Sequence, residues 1–477
     1  MTSQAITVAA GDGIGPEITA VVLDLLTAAG ASLAPEFVQI GQQAQAAGFS
    51  SGIADSAWDS VRRTGLLLKG PVLSSRQQAN TNIILRKSLG LFANVRPCLS
   101  YHPFVATRYP ALDVVIIREN EEDLYGGLEY RQTTDVAHGL KLFSRPGCEK
   151  IIRYAFDYAQ THGRQKVSAL TKDKIMEFTD GFFHQIFLEI AAAYPEIKSE
   201  HESLDLGTAR LIETPESFDV IVIPNLYGDI LSGLVAQMTT GSTGLSCAAN
   251  LGPHCSVFET LHGPALEIAG QDRANPSGLL LAAILLLVQM GQSEVAEKLH
   301  NAWLYTLEQG RLTADIYRAE AHREKLGTQA FGAAVAANLG RRPQTLRPVV
   351  YSTPSAPTLQ HNIPYQPPVV SKSLVGVDLF LDWQIEDPPL LAERLQRLNE
   401  KTLSLACITN LGVTVWPEAF PETRLSDHWH CRFLAPAGQS LEQGDVLALM
   451  QQALQAELHW IKSEFLFAID GQSAFSH

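Results

Sequence analysis

The chain holds 477 residues, 46% hydrophobic and 18% charged, with 50 acidic against 36 basic side chains for a net charge of −14. That is globular composition sized for roughly three domains. No Lys/Arg run is longer than two and the longest apolar run is Leu279–Val288, which excludes a nucleic-acid-binding face and a membrane span. The six cysteines form no CxxC pair and no charged segment precedes an apolar one at residues 1–5, so we expect no signal peptide and a cytoplasmic protein with reduced thiols.

In chain order, residues 5–10 (AITVAA) read as a buried strand, the segment Gly11-Asp12-Gly13-Ile14-Gly15 as a tight turn, and Pro16 as the opening of a helix. Because its glycines fall at 11, 13 and 15, the turn is not G-x-G-x-x-G; by itself it fits a plain strand-to-helix turn as well as a ligand loop. Short apolar runs recur at 114–117, 167–170 and 220–224, mostly followed by helical patterns, and 176–193 places Phe178, Phe182, Phe183, Ile186, Phe187 and Ile190 at helical spacing. Strands alternating with helices imply an α/β fold with a largely parallel sheet. Residues 128–144 break the rhythm and read as a projecting hairpin. Residues 340–373, rich in proline and hydroxyl side chains, read as a linker. Beyond it, 374–477 has a β-α-β-β-β-α-β order that suits a small α+β domain resembling ferredoxin-like or ACT-like modules.

Several segments carry chemistry. Arg86, Arg96 and Arg118 stand at the carboxyl ends of successive α/β units, where open parallel sheets bind ligands. A guanidinium fork matches a carboxylate, so the three fit a di- or tricarboxylate, although any single arginine also reads as a surface or ion-paired residue. Lys172, after the strand VSAL, would point into the same crevice and, partly desolvated, lose its proton near neutral pH. Asp205 and Asp229 follow neighbouring strands and make a hard-oxygen set for Mg²⁺ or Mn²⁺; singly, each also reads as a helix N-cap.

GDGIGPE, NIILR, ANVRP, REN-x-EDLYGG, the lysine before IMEFTDG, NLYGDILS and HGPALEIAG…NP occur in that order across residues 1–339. Together they resemble the β-decarboxylating dehydrogenases of 2-hydroxy acids, the isocitrate, 3-isopropylmalate, homoisocitrate and tartrate enzymes. The appended domain is similar to the C-terminal extension of the long, Thermus-like bacterial isocitrate dehydrogenases.

The resemblance implies a discontinuous large cofactor-binding domain (1–95 and 241–339), a small metal, substrate and dimer domain (96–240) with its clasp hairpin near 128–144, the linker 340–373 and the C-terminal domain 374–477. It implies oxidative decarboxylation of isocitrate in a homodimer or higher homo-oligomer whose active sites are shared between chains. By it, Asn80, Asn82, Arg86, Arg96 and Arg118 surround the substrate and Tyr125 protonates the enolate left by decarboxylation. Lys172 assists deprotonation of the C2 hydroxyl across the dimer interface, and Asp229 with the partner's Asp205 holds Mg²⁺ or Mn²⁺. His262, Gly263, Glu267, Ile268 and Asn275 hold the adenosine half of the cofactor.

Three features depart from the family pattern. Gly233 stands where the helix usually carries a second aspartate, four residues after Asp229 and on the same face. Asn80 replaces a serine that bonds the substrate's γ-carboxylate, and the loop 72–78 before it is short. Pro264 and Leu266 alter a loop usually written HGTAP or HGSAP. At Glu267-Ile268, NADP-using relatives carry Lys-Tyr and NAD-using ones Asp-Ile, and a carboxylate there accepts ribose hydroxyls and repels a 2′-phosphate, so NAD is expected. These departures leave two alternatives, a homoisocitrate or 3-isopropylmalate enzyme and a catalytically weakened or regulatory subunit.

Overall fold

A computed structural model of the chain describes residues 3–73, 80–240, 242–351, 366–398, 402–436, 439 and 441–476. They divide into two compact units, Met1–Tyr125 with Leu142–Pro364, and Gly126–Lys141 with Tyr365–His477.

The strands of the first unit are β1 (Gln4–Ala9), β2 (Leu33–Phe37), β3 (Leu66–Lys69), β4 (Ala93–Leu99) and β5 (Asp113–Glu119), then, beyond the hairpin strands β6 (Glu129–Arg131) and β7 (Ala137–Gly139), β8 (Lys166–Thr171), β9 (Lys198–Ser203), β10 (Val220–Ile223), β11 (Cys247–Leu251) and β12 (Ser256–Thr260). A two-stranded ladder, β13 (Arg311–Thr313) with β14 (Glu324–Leu326), completes it. Ten of these strands form one sheet in the order β2-β1-β3-β12-β11-β4-β5-β10-β8-β9.

The sheet is less uniform than the expected, largely parallel one. Pairings are parallel in the outer four strands on each side, but β12–β11, β11–β4 and β4–β5 are antiparallel. Two parallel halves of opposite direction therefore meet at the centre. The expected boundary at 95–96 falls inside β4, which pairs with β11 on one side and β5 on the other.

The helix after the first turn, Gly15–Ala29, has proline in its first turn and buries Ile18, Val21, Val22, Leu25 and Leu26; Gly30, in the left-handed region at φ 90°, ends it. The run Leu279–Val288 lies in the helix Ser277–Gln289, buried on nearly every face, so it is a core helix; no helix of the described residues is long and apolar enough to cross a membrane. The phenylalanine-rich helix starts later than its periodicity suggests, at Asp180. Residues before it turn back on Lys172, whose carbonyl accepts from Ile175 and Met176 N–H, and Phe178 stays about half exposed. Asp180 is fully buried at the helix start, where the N-terminal dipole favours a carboxylate.

The second unit joins the hairpin β6–β7 to β15 (Lys372–Asp382), β16 (Ser404–Asn410), β17 (Val413–Trp416), β18 (His428–Leu434), β19 (Trp460–Ile469) and β20 (Gln472–Ser473). An antiparallel sheet in the order β17-β16-β18-β15-β19-β20 buries Val377, Leu379, Leu381, Trp429, Cys431 and Phe433 against Leu391 and Leu395 of one helix and Val446 and Leu449 of another. This matches the expected β-α-β-β-β-α-β order, with one further short strand, β20, at its end. The alternate residues carry polar groups. Asp378 takes both arms of Arg432, at 2.8 and 2.9 Å, and His430 Nε2 lies 2.7 Å from it. The hairpin belongs here and not with the expected small domain, because Thr133 Oγ1 donates to Asp427 Oδ1 at 2.5 Å. Of the expected linker, residues 352–365 lie outside the described residues; its flanks have no helix or strand up to β15. All six cysteines are free.

Candidate functional site

The site lies where the two halves of the first unit's sheet meet and strand direction reverses, the place where α/β sheets bind ligands. A cavity of about 410 Å³ opens there, walled by Lys69 and Pro71–Leu73 after β3, by Asn80, Asn82 and Arg86, by Arg96 on β4, by Tyr125 and Asp229, and by Glu259–Pro264. Arg118, at the end of β5, is fully buried and reaches the site through Asp229.

Asp229, on the helix Asn225–Thr240, organises one side. Arg118 Nη1 pairs with its Oδ1, Arg96 Nη2 stands 3.5 Å from the same oxygen, and Tyr125 OH donates to Oδ2 at 2.8 Å. Arg118 is fixed from behind by Asn225, whose side-chain oxygen accepts from Nε at 3.0 Å and Nη2 at 2.8 Å, and its guanidinium lies over the Tyr125 ring at 4.8 Å. Arg96 is held by Asn94 and Ser232. On the other side Glu259 bridges Lys69 Nζ at 2.8 Å and Arg86 Nη2 at 3.1 Å, with Asn250 donating at 2.8 Å.

The electrostatics are those of an anion receptor. Burial, then the neighbouring guanidiniums Arg118 and Arg86, press Arg96 down to about 9, and burial and Arg86 lower Arg118. A polyanion entering the cavity relieves that crowding. Burial raises the Asp229 carboxyl, but Arg118 and Arg96 outweigh it and hold it below its ordinary value. Glu259 is held down in the same way, its burial overcome by Lys69 and Arg86. Burial pushes Tyr125 up, and the bond to Asp229 adds to it, so its hydroxyl keeps its proton.

Four buried polar atoms on the wall have no hydrogen-bond partner among the described residues: Asn82 Oδ1, Arg86 Nε, Thr260 Oγ1 and His262 Nε2. Buried groups of this kind are normally satisfied, and a ligand in the cavity would reach all four side chains. Asn80 uses its carbonyl oxygen to cap the helix Thr81–Ser88, accepting from Asn82 N at 3.1 Å and Ile83 N at 3.3 Å. Its amide remains as a donor.

The structure does not bring every expected residue together. Lys172 and Asp205 do not line the cavity; they pair with each other at 2.8 Å, both substantially exposed. Lys172 and Ser203 hold the Asp205 carboxyl far below its usual range. Glu267 and Ile268 sit in the short turn Leu266–Ile268, with Glu267 exposed. Asn275 bonds Asp315 at 3.0 Å and caps the following helix through Ser277 N.

Among the described residues two carboxylates line the cavity: Glu259, 7% exposed between Lys69 and Arg86, and Asp229, which pairs with Arg118 and Arg96 but is 43% exposed and so open to a divalent ion. An added Cβ at Gly233 would meet nothing within 4 Å. One exposed carboxylate with open space beside it fits Mg²⁺ or Mn²⁺, which retain waters.

Lys69 and Glu259 were missed as site residues in the sequence. Their signal is faint, a single charge in each of two short buried strands, LLLK and SVFET. Another group, Asp173, His184 and His201, brings its ligand-type atoms within 4.8 Å of one another. Its two imidazoles stack at 3.4 Å between centroids, so their in-plane lone pairs run in parallel planes and do not converge on one ion. His184 bonds Asp173 at 2.9 Å and His201 bonds Thr171 at 2.8 Å.

Fold and site together define an α/β protein with a cavity walled by arginines and carboxylates at a strand-reversal crevice. The isocitrate/isopropylmalate dehydrogenase family model matches residues 5–335, and the model of the bacterial isocitrate dehydrogenase C-terminal domain matches 372–477. The chain is 44% identical over 474 residues to isocitrate dehydrogenase [NADP] of Rickettsia bellii, covering 99% of this chain and 98% of that protein. It is 41% identical over 310 residues to isocitrate dehydrogenase [NAD] catalytic subunit 5, mitochondrial, of Arabidopsis thaliana, covering 64% and 82%. A crystal structure of a Thermus thermophilus protein superposes with a TM-score of 0.91 at 36% identity, covering 99% of this chain and 95% of that one. The chain belongs to the isocitrate/isopropylmalate dehydrogenase family.

Proposed function

We propose that the protein oxidises isocitrate and decarboxylates it to 2-oxoglutarate, using NAD and a divalent ion, in an active site completed by a second copy of the chain. One observation carries the reading: Arg86, Arg96 and Tyr125 line a single cavity, where Arg96, Tyr125 and the buried Arg118 meet Asp229 and Arg86 pairs with Glu259 on the other side. Three guanidiniums match a tricarboxylate's charge and fork geometry.

The cofactor, when bound, supplies the hydride acceptor, and the divalent ion supplies Lewis-acid polarisation. The chain's own residues do the remaining work. Arg86, Arg96 and Arg118 bind and orient the carboxylates, with the Asn80 amide as a further donor. Lys172 of a second copy takes the proton of the C2 hydroxyl, which explains why Lys172 and Asp205 lie together and outside the cavity of their own chain. Tyr125, kept protonated by burial and by Asp229, delivers its proton to the carbon that has lost CO₂.

NAD is chosen on Glu267. Relatives matched along the whole chain carry NADP in their names, but the family resemblance puts Glu267, an exposed carboxylate, beside the adenosine ribose, where it disfavours a 2′-phosphate. Two such charges about 4 Å apart repel by roughly 4 kcal/mol at an effective dielectric near 20. The test is a panel of initial rates with isocitrate, homoisocitrate and 3-isopropylmalate, each with NAD and NADP. The highest kcat/KM is expected for isocitrate with NAD; a homologue or NADP ahead would overturn that choice. Gly233 favours a second reading, a weakened or regulatory subunit, and the intact arginine, tyrosine and lysine set weighs against it.

A further inference from the structure

The segment from Gly11 to Glu17 contributes no side chain to the cavity, yet it touches both of its walls. On one side, Asp12 N donates to Pro71 O at 2.7 Å, and the buried Asp12 carboxylate accepts from Leu73 N at 2.7 Å and Gln42 N at 2.8 Å. On the other, Ile14 N donates to Pro264 O at 2.9 Å. One turn further on, the Glu17 carboxylate accepts from Gly270 N at 3.1 Å and Ala274 N at 3.3 Å, with Thr328 Oγ1 at 3.5 Å. Pro71, Leu73 and Pro264 all line the cavity, and Gly270 and Ala274 end the loop that carries Glu267.

Two facts favour a structural role for this turn over a phosphate cradle. The N–H groups of Asp12, Ile14 and Gly15 are already bonded to the carbonyls of Pro71, Pro264 and Asp12, so these three do not face an anion. The glycines are also required by contact: a Cβ on Gly11 would stand 2.2 Å from Pro71 O and one on Gly13 2.0 Å from Pro264 O, both at positive φ. A buried carboxylate whose partners are backbone N–H groups from separate loops fixes those loops.

We infer that the Gly11–Glu17 turn is a bracket that sets the two walls of the cavity independently, with Asp12 the positioning residue for the substrate wall and Glu17 the positioning residue for the cofactor wall. The assignment of the walls rests on the proposed function. An amide at either position keeps one acceptor and replaces the other with a donor, so Asp12→Asn and Glu17→Gln each release one N–H and leave side-chain volume unchanged.

The experiment uses both variants of the full chain and three measurements: kinetics with isocitrate and NAD, hydrogen exchange, and thermal unfolding. Glu17→Gln is expected to raise KM for NAD about tenfold with KM for isocitrate unchanged, and to deprotect the amide of Gly270 or of Ala274 but not Leu73. Asp12→Asn is expected to do the reverse. Equal shifts of both constants in both variants, or amide deprotection spread over both loops, would overturn the bracket and leave a general loss of stability. Hydrogen exchange needs no turnover, so a wild type inactive on isocitrate would count against the proposed function, while local deprotection would still decide the bracket.

Discussion

Glu267 and Gly233 bear most directly on cofactor and metal in the proposed reaction, and each yields a prediction. Replacing Glu267-Ile268 with the Lys-Tyr pair of NADP-using relatives removes a repelling charge and adds an attracting one. The kcat/KM ratio is expected to move toward NADP by about a hundredfold or more, as initial rates with both cofactors will read. An unchanged ratio would mean that the loop does not reach the ribose. At Gly233 a new Cβ has open space, so Gly233→Asp should fold normally. Added one helical turn after Asp229, its carboxylate should lower the Mg²⁺ concentration for half-maximal rate by about tenfold, measured by titrating metal into chelator-treated protein. An inactive parent revived by the change would favour the regulatory reading. The arginines were legible in the sequence because each closes a distinct motif. Lys69 and Glu259 were not, because their pairing joins β3 to β12 across nearly 190 positions of sequence, as the 2.8 Å bridge shows, and no local pattern encodes it.

At the scale of elements, the long periodic segments and their order were legible, whereas boundaries depended on tertiary contacts. Phe178 fits the helical period, yet the chain turns at 172–179 and starts the helix only at Asp180. The hairpin was visible as a break in rhythm, but its membership in the second unit depends on Thr133 meeting Asp427, a contact between residues nearly 300 apart. Within that unit, burial raises the Asp378 carboxyl while Arg432 and His430 outweigh it and hold it below its ordinary value. A depressed pKa contributes stability that is present above the unfolded value and is lost as pH falls through the folded one. Asp378→Asn leaves Arg432 buried without its charge partner and is expected to cost about 3 kcal/mol. Thermal unfolding followed against pH should show the C-terminal unit weakened in the variant near neutral pH, with the difference from wild type shrinking in acid. A difference that grows in acid would contradict the assignment.

For the whole molecule, α/β alternation was legible, but the reversal at the centre of the sheet was not. Antiparallel pairing of β11 and β4 is a matter of topology, and their sequences read as any buried strand. That reversal sets the two parallel halves head to head and opens the crevice between them. The same architecture leaves Lys172 and Asp205 outside the cavity of their own chain, which predicts complementation. Lys172→Met and Asp229→Asn should each be inactive alone. If the proposed site is shared within a dimer, co-expression should give hybrids with one intact site and return about a quarter of wild-type activity. No recovery, with mixed dimers demonstrated, would place both residues in one chain's site.

The most direct test of the central claim is isocitrate-dependent reduction of NAD by the pure protein, followed with CO₂ release before and after chelation. The account predicts one CO₂ for each NAD reduced, loss of both with EDTA, and recovery of both with Mn²⁺. Turnover that persists in chelator, or NAD reduction without CO₂, would contradict it.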